Sequence, residues 1–411
     1  MIIGIDASRA YVSDKTGTEY YSYHLINAML RLPEARTHLF VLFIRPNAQL
    51  PSELAGYSNV IVKEVHWKYL WTQLGLAGAT WMQYCSRGSE KADLHLDNTA
   101  KLPNWKTAKQ SLDALWVPAH TLPILRKPGI KTVVTIHGLE YQWLPEYKNL
   151  LQRWYLPLST MYAAKYADKL IAVSQFTANQ LEKELHTSAK KIKVIQEGVI
   201  GNSAIQRIGD SARQKILDKY GIINKKYLLF VGSIQPRKNL VALIEAFAKV
   251  SNLDISGRDS PYKLVIAGGV GWMADDILRA PSRLGIQDKV VFTGRISENT
   301  KAALYQGAAI YIQPSVTEGF GLPVLEAFEH QVPVISSDGG ALSEVVGDGG
   351  LIVNLEPNSK LSTFSDRLAI VIQKLLSDPK LQKKLINTGY KRVGQFRWES
   401  AAIATFKVLT G

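Results

Sequence analysis

The sequence predicts an α/β protein built from two doubly wound parallel-sheet domains facing a cleft. Three observations carry that prediction. Short, β-branched apolar runs alternate with helical patterns, the alternation restarts after Lys226, and 411 residues exceed what one core usually holds. In the first half the runs are residues 2–7, 40–44, 60–65, 114–118, 132–137, 170–174 and 192–196. In the second half they are 227–233, 263–269, 289–294, 310–315, 332–337 and 351–354. Near-continuous apolar strands separated by helices indicate parallel sheets covered on both faces. Between the first two runs, Tyr21, Leu25, Ala28 and Leu32 recur at near-helical spacing. The polar segment 200–225, with Gly201 and Gly209, reads as the interdomain connection. Open sheets of this kind bind ligands beyond the carboxyl ends of their strands.

Composition narrows the function classes. Hydrophobic residues make up 46% and charged residues 20%, the profile of a globular chain rather than a disordered one. A single cysteine, Cys85, excludes an intramolecular disulfide and a cysteine-based zinc site. The opening MIIGIDAS has a buried-strand pattern, not that of a leader, and no apolar run reaches the ~18 residues needed to span a bilayer. A cytoplasmic protein is expected, with the inner face of the membrane as a further station. The net charge of +14 is spread along the chain rather than gathered into a basic arm. No nucleic-acid module accompanies it, so a phosphate-bearing substrate or a peripheral anionic membrane contact fits better than nucleic acid. Residues 71–112, with Trp71, Trp81, Tyr84 and Trp105, read as a surface loop packed by its own aromatics. The competing reading is a lip facing an acceptor or a membrane.

The most informative stretch is VTEGFGLPVLEAF, residues 316–328. A strand ends at Pro314-Ser315, the chain turns through Glu318, Gly319, Phe320, Gly321 and Leu322, and Pro323 suits a helix start. Glycines and a helix N-terminus together suit an anion such as a diphosphate. Glu318 precedes the helix and Glu326 is expected in its first turn, one carboxylate on either side of the turn. A carboxylate accepts two hydroxyls well, so a ribose or hexose is a natural partner. The plain alternative is a helix start with a favourable acid. In VGSIQPRKNL, residues 231–240, Gly232 lets the chain turn, and Arg237 and Lys238 place two cations at a strand end. Such cations neutralise the charge developing on a departing diphosphate. No Asp-x-Asp follows a strand and no His/Asp cluster has metal spacing, so no metal and no other cofactor is expected. His137 ends a strand, His120 ends another more weakly, and Gly17 lies in the Lys15–Thr18 loop entering the first helix.

From TGTEYYSYHL to FRWESAA the sequence resembles the family 4 retaining glycosyltransferases (glycosyl transferases group 1), most specifically in the Glu-x7-Glu motif EGFGLPVLE. The resemblance implies the GT-B fold, two Rossmann-like domains. The acceptor-binding domain would cover 1–200 plus a terminal helix at about 396–411, and the donor-binding domain 205–395. It further implies Glu318 on hydroxyls of the donor sugar and Glu326 on the ribose. Gly319, Phe320 and Gly321 would approach the sugar and phosphates, and Leu322 and Pro323 would sit at the diphosphate. His137 would lie near the reacting centre and Gly17 near the diphosphate and acceptor. Arg295 and Ile296 of TGRISEN would flank the nucleotide base, and SDGGALSEVVGDGG would shape the donor pocket. The family usually carries arginine directly after the glycine of the basic motif; Ser233 stands there instead, so Lys238 carries over more securely than Arg237. The expected activity is retaining, metal-independent transfer of a hexosyl group, mannosyl or glucosyl favoured. The donor would be a GDP- or UDP-linked sugar and the acceptor a glycan or lipid-linked hydroxyl. A glycan phosphorylase, a nucleotide-sugar epimerase and a non-catalytic nucleotide-sugar-binding protein are the alternatives.

Overall fold

The computed structural model describes residues 1–13, 15, 17–67, 71–82, 111–139, 150–199, 207–251, 262–356 and 363–411. Thr16, Tyr84, Trp105, Gly201 and most of the expected lip lie outside the described residues. The chain divides into two compact units, Met1–Gly198 with Trp398–Gly411, and Val199–Arg397.

The first unit holds strands β1 (Ile2–Asp6), β2 (Leu39–Ile44), β3 (Val60–Glu64), β4 (Ala114–Val117), β5 (Lys131–Ile136), β6 (Lys169–Ala172) and β7 (Ile192–Val194). They form one sheet in the order β3-β2-β1-β4-β5-β6-β7, every pair parallel. Around it lie helices α1 (Gly17–Leu30), α2 (Ala77–Met82), α3 (Leu150–Tyr166) and α4 (Gln175–Leu185). The second unit holds β8 (Tyr227–Val231), β9 (Lys263–Ala267), β10 (Val290–Gly294), β11 (Ile310–Gln313), β12 (Val334–Ser337) and β13 (Gly350–Val353). Their order is β10-β9-β8-β11-β12-β13, again all parallel. Its helices are α5 (Asp210–Lys219), α6 (Leu240–Ser251), α7 (Asp275–Arg283), α8 (Glu298–Gly307), α9 (Leu322–Glu329), α10 (Leu342–Val346), α11 (Phe364–Ser377) and α12 (Pro379–Val393). The final helix, α13 (Trp398–Thr410), belongs to the first unit.

All thirteen apolar runs form strands, and both sheets are doubly wound. The central strands show why the runs are continuous: β4, β8 and β9 carry side chains buried on both faces, except at their first or last residue. In each sheet the strand order reverses at one place, between β1 and β4 and between β8 and β11. At such a switch point the loops leaving the two adjacent strands diverge and open a crevice at their carboxyl ends.

Two local expectations shift. The buried stripe of α1 is Tyr21, Ser22, Leu25, Ile26, Met29 and Leu30, with Ala28 only half-buried. Packing against α13 sets this face: His24 stacks on Trp398 at 5.5 Å and Tyr21 meets the same indole edge-on at 5.9 Å. α13 itself starts at Trp398 rather than at residue 396, and it buries Trp398, Ala401, Ala402, Thr405, Phe406 and Leu409. Each large apolar side chain so buried contributes roughly 1.5–3 kcal/mol.

Candidate functional site

The loops at the β8/β11 switch point are joined backbone to backbone. The Glu318 loop meets the basic turn where Val316 N–H donates to the Arg237 carbonyl at 2.9 Å. It meets the glycine-rich turn where Ala341 N–H donates to the Glu318 carbonyl, also at 2.9 Å. On the other side, Gly232 N–H donates to Ala267 O, Ile234 N–H to Gly269 O, and Gly268 N–H to Gly294 O, at 2.9–3.0 Å. One rim therefore gathers Gly232, Ser233, Arg237, Lys238, Arg295, Ile296, the 318–326 stretch and Gly339-Gly340 from four different strand ends.

Glycine is required where these loops cross. Gly340 has φ +67°, and a Cβ there would lie 2.3 Å from the Glu318 carbonyl oxygen. Gly268 has φ +148°, and a Cβ there would lie 2.0 Å from the Gly232 carbonyl oxygen. Any larger residue would push the Glu318 loop or the basic turn out of place.

Glu318 is the electrostatic centre of this rim. Its Oε1 accepts from Lys238 Nζ at 2.6 Å, Ser315 Oγ at 2.6 Å and Gln313 Nε2 at 2.8 Å. Its Oε2 accepts from Arg237 Nη1 at 2.7 Å, and the same Nη1 donates to Thr317 O at 2.8 Å. Glu318 is buried, and Arg237 and Lys238 are nearly so. Burial pushes the carboxyl upward, but the charges of Arg237 and Lys238 and the bonds from Lys238 and Ser315 outweigh it. The net result is a pKa of about 2. Both cations are thus fixed at one carboxylate. Arg237 and Lys238 form part of a single-turn 3-10 helix, Pro236–Lys238, ended by Asn239 at φ 54°.

Glu326 sits in the second turn of α9, not the first, because the helix begins at Leu322 with Pro323 following. Its N-cap is Gly321 at φ 118°, which has no side chain with which to cap it. Glu326 accepts from Lys301 Nζ at 2.8 Å and Tyr305 Oη at 2.9 Å, both on α8. Lys301 also pairs with Glu298 at 3.0 Å. Phe320 is buried and meets Phe396 edge-on at 5.8 Å. Behind Glu326, Glu329 is buried with an Oε1 that has no hydrogen-bond partner among the described residues. Burial, reinforced by the Glu326 charge, raises its pKa to about 8.

In the first unit, His137 follows β5, and Tyr21 of α1 meets its ring edge-on at 4.6 Å. His137 Nε2 lies 2.8 Å from the Pro118 carbonyl and Nδ1 lies 3.2 Å from Glu197 Oε1. A carbonyl only accepts, so Nε2 carries a proton. His120 lies 5.7 Å from His137, ring to ring; burial first, then the charges of His137 and Arg9, lower its pKa to about 3. Gly17 is the exposed first residue of α1, one turn before Tyr21.

Sequence reasoning did not assign Gln313, Ser315, Lys301, Tyr305 or Glu197. Glu197 stood in the quoted VIQEGV run. Gln313 and Ser315 stood in IYIQPS, where polar residues interrupt an apolar strand end. Lys301 and Tyr305 carried no local signal. Among the described residues no group of three or more His, Cys, Asp or Glu side chains could hold a metal ion. Among them, too, no helix is long and apolar enough to cross a membrane.

Comparisons with known proteins align with this geometry. The chain is 28% identical over 275 residues to O-antigen chain mannosyltransferase B of Escherichia coli, covering 67% of this chain and 69% of that protein. It is 30% identical over 235 residues to O-antigen chain mannosyltransferase RfbU of Salmonella typhimurium, covering 57% of this chain and 59% of that one. Among solved structures, WaaG, a glycosyltransferase involved in lipopolysaccharide biosynthesis, superposes with a TM-score of 0.68 at 16% identity over 100% of both chains. HepE of Anabaena, in complex with UDP and glucose, superposes with a TM-score of 0.65 at 16% identity over 100% of this chain and 99% of that one. These two likenesses establish the fold. Residues 212–392 match the family profile of glycosyl transferases group 1, and residues 109–200 match that of Glycosyltransferase Family 4. With the Glu318 and Glu326 motif at the switch point of the second sheet and both profiles in sequence order, the chain belongs to the group 1, family 4 glycosyltransferases of GT-B fold.

Proposed function

We propose that this protein moves a hexosyl group from a nucleotide diphosphate sugar to a sugar hydroxyl of a glycan or lipid-linked acceptor, retaining the anomeric configuration. The observation that carries the reading is the Glu318–Arg237–Lys238 cluster at the β8/β11 switch point. Two cations locked to one buried carboxylate beside an uncapped helix start form a preorganised site for a diphosphate leaving group. Because Arg237 and Lys238 already supply positive charge, no divalent metal is required for that task. Glu326, held by Lys301 and Tyr305, takes the ribose hydroxyls, and Arg295 and Ile296 flank the base. The relatives named as mannosyltransferases favour mannose, and the HepE complexes with UDP and UDP-glucose support a nucleotide-sugar donor.

A panel of GDP-, UDP- and ADP-sugars is read first by thermal shift, since a ligand of the native state raises its melting temperature. The stabilising donor is then incubated with methyl glycosides, with and without EDTA, and the product linkage is read by NMR. An α-linked product from an α-linked donor, unchanged by EDTA, is expected. A β-linked product overturns retention, loss of turnover in EDTA overturns metal independence, and no shift with any nucleotide sugar overturns the reading.

A further inference from the structure

The first unit exposes an apolar face that the transferase reading does not use. On α3, Trp154, Leu158 and Met161 are 67%, 58% and 50% exposed. Their spacing of four and three places them on one stripe, opposite the buried Ser159, Thr160, Ala163 and Ala164. A helix that turns its small and hydroxyl residues inward and Trp, Leu and Met outward inverts the usual arrangement.

The stripe continues beyond the helix. Ile124 and Leu125 are 58% and 66% exposed on the loop after β4. Arg126 ties that loop to α3, donating to Tyr162 Oη at 3.0 Å and to Tyr166 O at 3.2 Å. On its other side, Gln73 bonds Leu122 O at 3.0 Å and Ile124 N at 2.9 Å, which sets the exposed Leu74 beside the same loop. Isolated surface leucines need no explanation, but a joined set of six large apolar side chains does.

Charge identifies what covers it. Residues 71–82, 122–131 and 150–166 contain no Asp or Glu. Lysines rim the carboxyl end of α3: Lys165 is exposed on the helix, and Lys191 Nζ holds the carbonyls of Ala164 and Lys165 at 3.2 and 2.9 Å. That contact brings the exposed Lys190 alongside. Lys169 is anchored in turn on the Lys190 carbonyl. An apolar band whose rim carries Lys165, Lys169, Lys190 and Lys191 against the exposed acid Asp168 has a net cationic edge and matches the two-layer chemistry of an anionic lipid surface, acyl chains below and phosphates at the edge. We propose that this face docks on anionic membranes, with α3 lying in the interfacial plane and Trp154, Leu158, Met161, Ile124 and Leu125 inserted. The proposal stands independently of the donor and of turnover.

The full chain is floated with vesicles of phosphatidylcholine alone or containing about 30% phosphatidylglycerol. Two double variants are compared, L158E/M161E in the band and K165E/K190E in the rim, each with its melting temperature and its mass in solution. Binding of the unaltered protein to the anionic vesicles only is expected. Each variant should lose roughly tenfold or more of that partition while melting within a few degrees of it. Because K165E/K190E changes only exposed side chains, it tests the proposal even if the band variant misfolds. Absence of binding to anionic vesicles, or variants that bind as well as the unaltered protein, would overturn it. So would a dimer that L158E/M161E converts to monomer, which would assign the face to a second copy of the chain.

Discussion

The sharpest test of the site replaces Glu318 with Gln. The amide keeps the shape of the carboxylate but removes the charge that Arg237 and Lys238 share. Folding lowers the Glu318 pKa from an ordinary 4.5 to about 2, and at about 1.4 kcal/mol per unit that amounts to about 3 kcal/mol. Removing the carboxylate charge from beside two buried cations costs a similar roughly 3–5 kcal/mol. The sign follows from the direction of the shift. A depressed carboxyl contributes fully above its unfolded value, so the contribution is whole at pH 7 and fades as pH falls from 4.5 towards 2. Urea denaturation of the full chain, fitted with one transition per unit, should therefore show E318Q less stable by about 3 kcal/mol at pH 7. The gap should narrow at pH 3. A gap under about 0.5 kcal/mol at pH 7, or one that is the same at both pH values, would refute the buried-pair reasoning.

The remaining predictions separate roles within the rim. Glu326→Ala should weaken nucleotide binding by about 1–3 kcal/mol with little change in kcat, read by calorimetry, because it removes the acceptor held by Lys301 and Tyr305. Lys238→Met should instead lower kcat more than it raises KM, since a charge that develops during departure acts mainly in the transition state. Gly340→Ala should cut turnover and lower the melting temperature by several degrees, because its Cβ would meet the Glu318 carbonyl. Glu329→Gln should leave stability near pH 5 unchanged and raise it at pH 9 by roughly 1–3 kcal/mol. The unfolded chain ionises at the ordinary 4.5 while the buried acid stays protonated up to about 8, so the cost grows between those two values and is complete by about pH 9; melting curves across that range decide the matter.

Much of the fold was legible because strand periodicity and strand count are local properties: every apolar run became a strand, and the restart after Lys226 marked the second sheet. The site was legible as a set of residue types and only partly as a set of bonds. Glu318 and Glu326 share one local stretch and read naturally as two similar ligand-facing acids. The structure makes them different. Glu326 faces α8, and Glu318 faces a basic turn about 80 residues earlier in the chain. No local pattern encodes that pairing. It arises because β11 is hydrogen-bonded beside β8, so the loops leaving both strands meet. The consequence is quantitative. A carboxylate offers about four acceptor positions, two on each oxygen; Lys238, Ser315 and Gln313 crowd Oε1 of Glu318, and Arg237 bonds Oε2. A sugar hydroxyl that bonds Glu318 would therefore meet the less crowded Oε2, sharing that oxygen with Arg237 while Oε1 stays tied to Lys238.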